Sequence, residues 1–454
     1  MSPSSGVNWN EQEFRTRGQL QMLKRMVLIA ILALAAESGP PLPTARSLSK
    51  PADPTFRDFN GVNYLTPSEV TQQLGYGWVR DGLSWAGIEP QKGQWSWGPA
   101  DQIVKNALDQ KLGFLPLLAY TAPWAESTPG KDKSPPANVQ DWEDFVEHVV
   151  SRYSSPPFNL RYFQVWNEPT IEAGFWLGTP RDYIDRVYLP AAKIIRRHNG
   201  FVVFGGWPLS NSLQQLDDVL AYHDAWRWTD ILDIHYQNPP AFQHLYDKWI
   251  ATGKCRGIWE SEYGYAADPD YLPTTYVRLL NWALQTGWND PNQYKLFWFA
   301  SWGNAADRNN SLTMPIGDVH FGLNTNGNEL KTLNEVLGGG ALVSFKQFAS
   351  QPSMAPALAN QSPSAIGFRV GGSRIVIVLL VDRATLQRTA TISTQVSLSK
   401  RPQQVRLVSV SGNQKSLNVN YQNGMLSASV ARADLPINCP NCRWAVGYIQ
   451  IDGL

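Results

Sequence analysis

Tyr162-Phe163-Gln164-Val165-Trp166-Asn167-Glu168-Pro169 and Gly257-Ile258-Trp259-Glu260-Ser261-Glu262-Tyr263-Gly264 share one construction. Each is a short apolar, aromatic-rich run that closes on an acid and is stopped by Pro or Gly, the pattern of a buried strand. Further runs of this kind stand at 59–64, 78–81, 114–120, 202–206, 231–235 and 294–301. Between them lie longer stretches of helical period, such as 141–153 (DWEDFVEHVVSRY) and 180–198. Eight strands alternating with helices over about 280 residues have the count and length of a (β/α)8 barrel, so the fold class reads as α/β, a TIM barrel over 55–338. An open doubly wound sheet would alternate similarly, but it calls for a Gly-rich phosphate turn after its first strand. No G-x-G-x-x-G or P-loop stands there.

Working residues of such a barrel sit at the carboxyl ends of its strands. Glu168 closes the fourth strand and Glu262 the seventh, 94 residues apart, the span of three βα units. Strands four and seven face each other across an eight-membered barrel, which brings two carboxyl groups to one cleft. Cleavage of a glycosidic bond needs such a pair: one acid protonates the leaving oxygen while the other attacks the anomeric carbon or activates water. A lone glutamate at a strand end could equally be a salt-bridge partner on the rim; the pair is harder to explain that way. A barrel that binds sugar without cutting it is the alternative function, although binding alone gives no reason to hold both acids.

Trp166-Asn167-Glu168-Pro169 and Ser261-Glu262-Tyr263-Gly264 resemble the acid/base and nucleophile motifs of the clan A glycoside hydrolases, which are retaining enzymes on a (β/α)8 barrel. The likeness continues through Trp78-Val79-Arg80-Asp81-Gly82-Leu83-Ser84-Trp85, Ile88-Glu89-Pro90 and Gly93, and the chain is similar to family 39 and related families over roughly 59–335. The resemblance implies Glu168 as acid/base and Glu262 as nucleophile. It also implies that Asn167 binds the sugar 2-hydroxyl and that Arg80 steadies the nucleophile. Glu260 is the rival nucleophile, because residues two apart on a strand point the same way and both would face the interior. Relatives often carry a His and a Tyr at the sixth strand; here the residues are His235-Tyr236-Gln237. Alternation turns His235 and Gln237 inward and Tyr236 aside unless a bulge shifts the register; His235 and Tyr236 are candidate substrate-binding residues, with a core histidine whose hydrogen bond is satisfied as the alternative for His235.

Of 19 tryptophans, 17 lie from Trp78 to Trp302, so whatever uses indole rings belongs to the barrel. Trp85, Trp124, Trp166, Trp207 and Trp302 fall at or just past strand ends, where flat faces suit stacking on sugars. Trp302 is the first choice of sugar platform, with Trp85 and Trp124 next. Trp142, Trp249 and Trp282 sit at helical spacing and read as core. The segments 121–139 and 170–178 are the loops that would shape subsites, but they name no sugar and do not distinguish endo from exo action.

Other chemistries find little support. Gly82-Leu83-Ser84-Trp85-Ala86 resembles a nucleophile elbow but lacks its last glycine. The six histidines show no metal-binding spacing, so no metal or cofactor is implied. Net charge is +1, with Lys+Arg 39 against Asp+Glu 38, which gives no electrostatic case for nucleic acid or an anionic membrane. The partner expected is a carbohydrate substrate, and oligomeric state is not legible.

The flanks read separately. Lys24 and Arg25 precede an apolar stretch (MVLIAILALAA, 26–36) that ends on Ala33-Leu34-Ala35. Eleven apolar residues are too few to span a bilayer but suit a signal peptide, with Met22 as an alternative start. Residues 1–36 therefore read as a signal region, 37–54 as a Pro- and Ser-rich linker, and the protein as secreted or periplasmic with no stable membrane insertion. Beyond 338–340 the runs 374–381, 404–411, 416–430 and 444–451 read as strands without intervening helices, an all-β sandwich over 339–454 in which Asn423-Gly424 suits a turn. Cys439 and Cys442 read as a local disulfide or two inert thiols, and Cys255 as buried and unpaired.

Overall fold

Strands Asn60–Asn63 (β1), Trp78–Ser84 (β2), Gly113–Ala119 (β3), Tyr162–Val165 (β4), Phe201–Val203 (β5), Ile231–His235 (β6), Gly257–Tyr263 (β7) and Tyr294–Trp298 (β8) close into one parallel barrel, β8 pairing back onto β1. The computed structural model describes residues 53–454 apart from 265–270, 289, 303–310, 317–319, 346–348, 352–363 and 438–442. The signal region and the Cys439–Cys442 pair lie outside the described residues. No helix among the described residues is long and apolar enough to cross a membrane.

A principal helix follows each strand: Ser68–Leu74 (α1), Gly98–Asp109 (α2), Val139–Ser154 (α3), 180–197 (α4), Leu213–Ala221 (α5), 239–250 (α6), Tyr271–Gln285 (α7) and Thr325–Leu337 (α8). In α3 the buried residues Trp142, Phe145, Val146, Val149, Val150 and Tyr153 recur every three or four positions and make one apolar stripe against the barrel. Asn138 caps that helix by accepting the Gln140 N–H. The helices cover the barrel outside, so its strands are buried on both faces and read as near-continuous apolar runs.

The barrel interior is filled in layers. At the amino-terminal end Trp78, Tyr162 and Trp259 meet with ring centroids 4.6–5.8 Å apart. A Cβ on Gly113 would come within 2.4 Å of the Trp78 ring, so this close approach requires glycine. One pleat higher the inward residues turn polar: Arg80, Gln164, Asp233 and Ser261, all buried. Above them, at the carboxyl ends, stand Asn167, Glu168, His235 and Glu262.

Alternation fails at one place that matters. Ile234 pairs with Glu260 but His235 pairs with Glu262, and β8 shows the same extra residue in β7. This is a β-bulge at Ser261. Trp259 and Ser261 face the interior and Glu260 faces away, so the expectation that Glu260 and Glu262 point the same way is corrected. The bulge returns Glu262 to the cleft.

After the barrel, antiparallel strands form a six-stranded and a four-stranded sheet. Ile375, Ile377, Leu379, Ile449 and Ile451 pack against Ile392, Val396, Leu426 and Val430 of the facing sheet. The opposite faces of the same two long strands, with Val376, Val378, Leu380, Val446 and Tyr448, belong to the core shared with the barrel. That double burial explains the unbroken run RIVIVLLV. Arg278 of α7 sits over the Trp444 ring at 4.2 Å, part of the contact between barrel and sandwich. Asn423 and Gly424 both take positive φ, as a two-residue hairpin turn requires. A short helix, Arg383–Arg388, does interrupt the strands.

Candidate active site

The chain leaves β4 through two left-handed residues, Trp166 (φ 70°) and Glu168 (φ 43°). Side chains other than glycine rarely adopt this conformation, and it persists only where the surroundings hold it. Here the Trp166 indole N–H donates to the Phe175 carbonyl and the Glu168 N–H to the Gly205 carbonyl. The result turns Glu168 into the cleft mouth. One oxygen of Glu168, one of Glu262 and a ring nitrogen of His235 lie within 4.8 Å of one another.

Arg80 organises the floor. Its guanidinium donates to Glu262 Oε1 at 2.6 Å, Asn63 Oδ1 at 2.8 Å, Gln164 Oε1 at 2.6 Å and Asn167 Oδ1 at 2.6 Å. With the Asn167 oxygen committed to Arg80, its amide NH₂ is directed elsewhere, and Asn167 also hydrogen-bonds the Tyr120 phenol. Burial opposes ionisation of Glu262, but the charges of His235 and Arg80 and the hydrogen bonds from Arg80 and Tyr236 outweigh it and hold the carboxyl below its usual range.

His235 is fully buried and hydrogen-bonded at both nitrogens, Nδ1 to Glu168 Oε1 at 2.8 Å and Nε2 to Ser261 Oγ at 3.0 Å. Ser261 Oγ in turn donates to Asp233 Oδ2 at 2.6 Å. Both ring nitrogens can then donate, as an imidazolium does. Desolvation works against that charge, yet Glu262 and Glu168 raise the His235 pKa above its ordinary value. Asp233 is pushed up to about 6, chiefly by burial. A Cβ on Gly206 would meet His235 Nε2 at 2.2 Å, so glycine is needed beside the ring.

Glu168, His235 and Glu262 form a donor set that a divalent cation could share. The Arg80 guanidinium already supplies positive charge to that spot and His235 Nδ1 is hydrogen-bonded to Glu168, so hydrogen bonding accounts for the arrangement.

Tyr236 reaches the site. It takes φ 57°, its N–H donates to the Glu262 carbonyl at 3.0 Å, and its hydroxyl donates to Glu262 Oε2 at 3.3 Å. The left-handed turn at Tyr236 together with the bulge in β7 does what simple alternation could not.

The tryptophans divide differently from expectation. Trp302 is exposed (42%) and rests on Tyr64 with centroids 5.2 Å apart, a face open to a ligand. Trp85 offers no face: a turn of helix, Trp85–Ile88, follows β2 at once and tucks the indole against Trp142 and Phe145. Its N–H donates to buried Glu89 at 2.8 Å. Trp166 and Trp207 are buried as well. Trp124 is half-buried, edge-on to Trp85, with its N–H donated to the Glu89 carbonyl at 2.8 Å, which makes it a support of this wall. Trp142, Trp249 and Trp282 are core.

Asn63, Tyr120, Gln164, Asp233 and Ser261 complete the constellation and were not singled out from sequence. Strand parity could have found three of them: Gln164 lies two residues before Trp166, Asp233 two before His235, and Ser261 two after Trp259.

No family model matches the chain. A β-xylosidase of Caldicellulosiruptor saccharolyticus is 32% identical over 77 residues, which span 16% of this chain and 16% of that protein. Among solved structures, a family 39 glycoside hydrolase from Bacteroides cellulosilyticus WH2 superposes with a TM-score of 0.58 at 13% identity, covering 87% of this chain and 81% of that one. A family 30 endoxylanase from Clostridium papyrosolvens C71 gives 0.58 at 15% identity, covering 88% and 97%. The chain thus shares the fold of these glycoside hydrolases, barrel and sandwich together.

Proposed function

We propose that this protein is a retaining β-glycoside hydrolase in which Glu262 is the nucleophile and Glu168 the acid/base. The observation that carries the reading is the separation of the two carboxyl groups, whose nearer oxygens are within 4.8 Å at the mouth of the barrel. Retaining enzymes hold their acids about 5–5.5 Å apart, and inverting ones about 6.5–9.5 Å to admit a water. Ionised Glu262, charge-paired to Arg80, attacks the anomeric carbon, while Glu168 protonates the leaving oxygen. When the glycosyl bond to Glu262 has formed, Glu168, ionised by protonating the leaving group, takes a proton from the incoming water as that water attacks the anomeric carbon and the bond to Glu262 breaks. That proton returns Glu168 to its acid form for the next turnover, and the 2.8 Å contact to His235 Nδ1 holds the carboxyl in the cleft. The Asn167 NH₂ is aimed to bind the sugar 2-hydroxyl, and Trp302 offers the stacking face.

Aryl β-xylosides and xylan are the first substrates to try, given the partial β-xylosidase match and the endoxylanase fold neighbour; aryl β-glucosides and other β-glycans follow. The N-terminal region leads us to propose export, so the native protein should begin near residue 36. Hydrolysis of at least one such substrate, lost in both E262A and E168A, is the expected result. If both variants keep wild-type activity on every substrate cleaved, the assignment is wrong.

A further inference from the structure

Glu260 is a fully buried acid on β7 that the chemistry above leaves unused. Facing away from the cleft, it places Oε1 on the backbone N–H of Gln237, the residue after Tyr236. Its Oε2 has no hydrogen-bond partner among the described residues. Burial pushes its carboxyl well above the usual carboxylate range, against the pull of the Gln237 N–H and with a smaller push from the nearby Asp233 charge. The same environment reaches Tyr294, a phenol raised first by burial and then by Glu260.

A buried acid is a costly way to fill a position between sheet and helices unless its acceptor is needed. What it binds here is the peptide next to a non-glycine residue in left-handed conformation. Tyr236 is thereby held at both ends: its N–H and hydroxyl go to Glu262, and the following N–H goes to Glu260. Both anchors come from one strand, either side of the bulge.

We propose that Glu260 is a positioning residue, whose carboxyl oxygen fixes the Gln237 peptide and so keeps the Tyr236 hydroxyl on Glu262. The kinetic part of this inference rests on the glycosidase reading; the geometric part does not. Glutamine keeps the carbonyl acceptor, whereas methionine keeps the volume and loses it.

The test combines E260Q, E260M and Y236F with the double variant E260M/Y236F, each checked for folding by circular dichroism. E260Q should stay within about twofold of wild type, which would also remove Glu260 from the nucleophile's role. E260M should lower kcat by roughly ten- to a hundredfold with KM little changed, the scale of an ångström-level misplacement. In the Y236F background E260M should cost nothing further. Wild-type kcat in E260M, or losses that multiply in the double variant, would overturn the proposal. If E260M does not fold, E260L supplies the same comparison. Crystal structures of wild type and the methionine or leucine variant provide an arm independent of activity. The Tyr236 Oη to Glu262 Oε2 distance, 3.3 Å here, should open beyond hydrogen-bond reach in the variant, and an unchanged distance refutes the positioning role. A wild-type protein that cleaves no β-glycoside would defeat the glycosidase reading, and this crystallographic comparison would still decide on Glu260.

Discussion

Replacing Arg80 by methionine removes the guanidinium beside Glu262 while keeping most of the side-chain volume. The pair meets at 2.6 Å with both partners largely buried, at side-chain exposures of 4% and 10%, so solvent screens it little. With charge centres roughly 4 Å apart and an effective dielectric near 20, their attraction is about 4 kcal/mol. That attraction favours the ionised carboxyl, so its loss should raise the Glu262 pKa. His235, with Nδ1 3.8 Å from Glu262 Oε2, remains in the variant and offsets part of the loss. The assay is kcat/KM against pH, whose acid limb reports the free enzyme's nucleophile. In R80M that limb should move upward. Stability gives a second reading of the same charge. Glu262 has a lowered pKa in the native protein, so its contribution is present above the unfolded carboxylate pKa and is lost as pH falls through the folded value. R80M should be less stable by about 3–5 kcal/mol near neutrality, because it leaves a buried charge short of its partner. The difference should narrow in acid, once Glu262 is protonated in the variant. An acid limb that stays in place while activity merely falls would refute the electrostatic role assigned to Arg80.

W302A should raise KM by roughly tenfold with little change in melting temperature, since the indole is exposed and rests on Tyr64. W85A should do the opposite, costing about 3–5 kcal/mol of stability with KM unchanged in the folded fraction; melting curves and initial rates separate the two. Lys295, buried among Trp78 and Trp259 with its ammonium on the Asp58 carbonyl, is lowered to about 7 by burial. Between that value and the ordinary lysine pKa the unfolded chain binds the extra proton, so this residue's contribution to stability rises with pH through that window and is at its lowest below it. K295M should therefore melt higher than wild type near neutrality, the gap closing toward about pH 10. A gap that widens with pH would contradict the assignment.

The barrel was legible because its strands are buried on both faces and each is punctuated by an acid, Pro or Gly. β6 was read to the residue, and the remaining strands were placed within a few positions. Glu168 and Glu262 were legible because the strand-end rule turns sequence order into position around a ring. What alternation could not show is the side on which Glu260 falls, since a bulge at Ser261 depends on which backbone groups pair rather than on side-chain pattern. Tyr236 was obscured for the same reason: a left-handed residue redirects its side chain with no mark in composition. Trp85 misled because a strand end that runs straight into a helical turn delivers its ring to the helix layer instead of the cleft. The run 374–381 gave no sign of which neighbour covers its second face, and the barrel does.

The central claim is that Glu262 forms a covalent bond to the sugar. Incubation with activated 2-deoxy-2-fluoro β-xyloside and β-glucoside, which slow breakdown of a glycosyl-enzyme intermediate, followed by peptide mass spectrometry, tests it most directly. The account predicts a single fluoroglycosyl adduct on the peptide carrying Glu262, which accumulates in wild type and is absent in E262A. A label on Glu260 or Glu168, or steady substrate turnover through an inverted product with no adduct at any time, would contradict it.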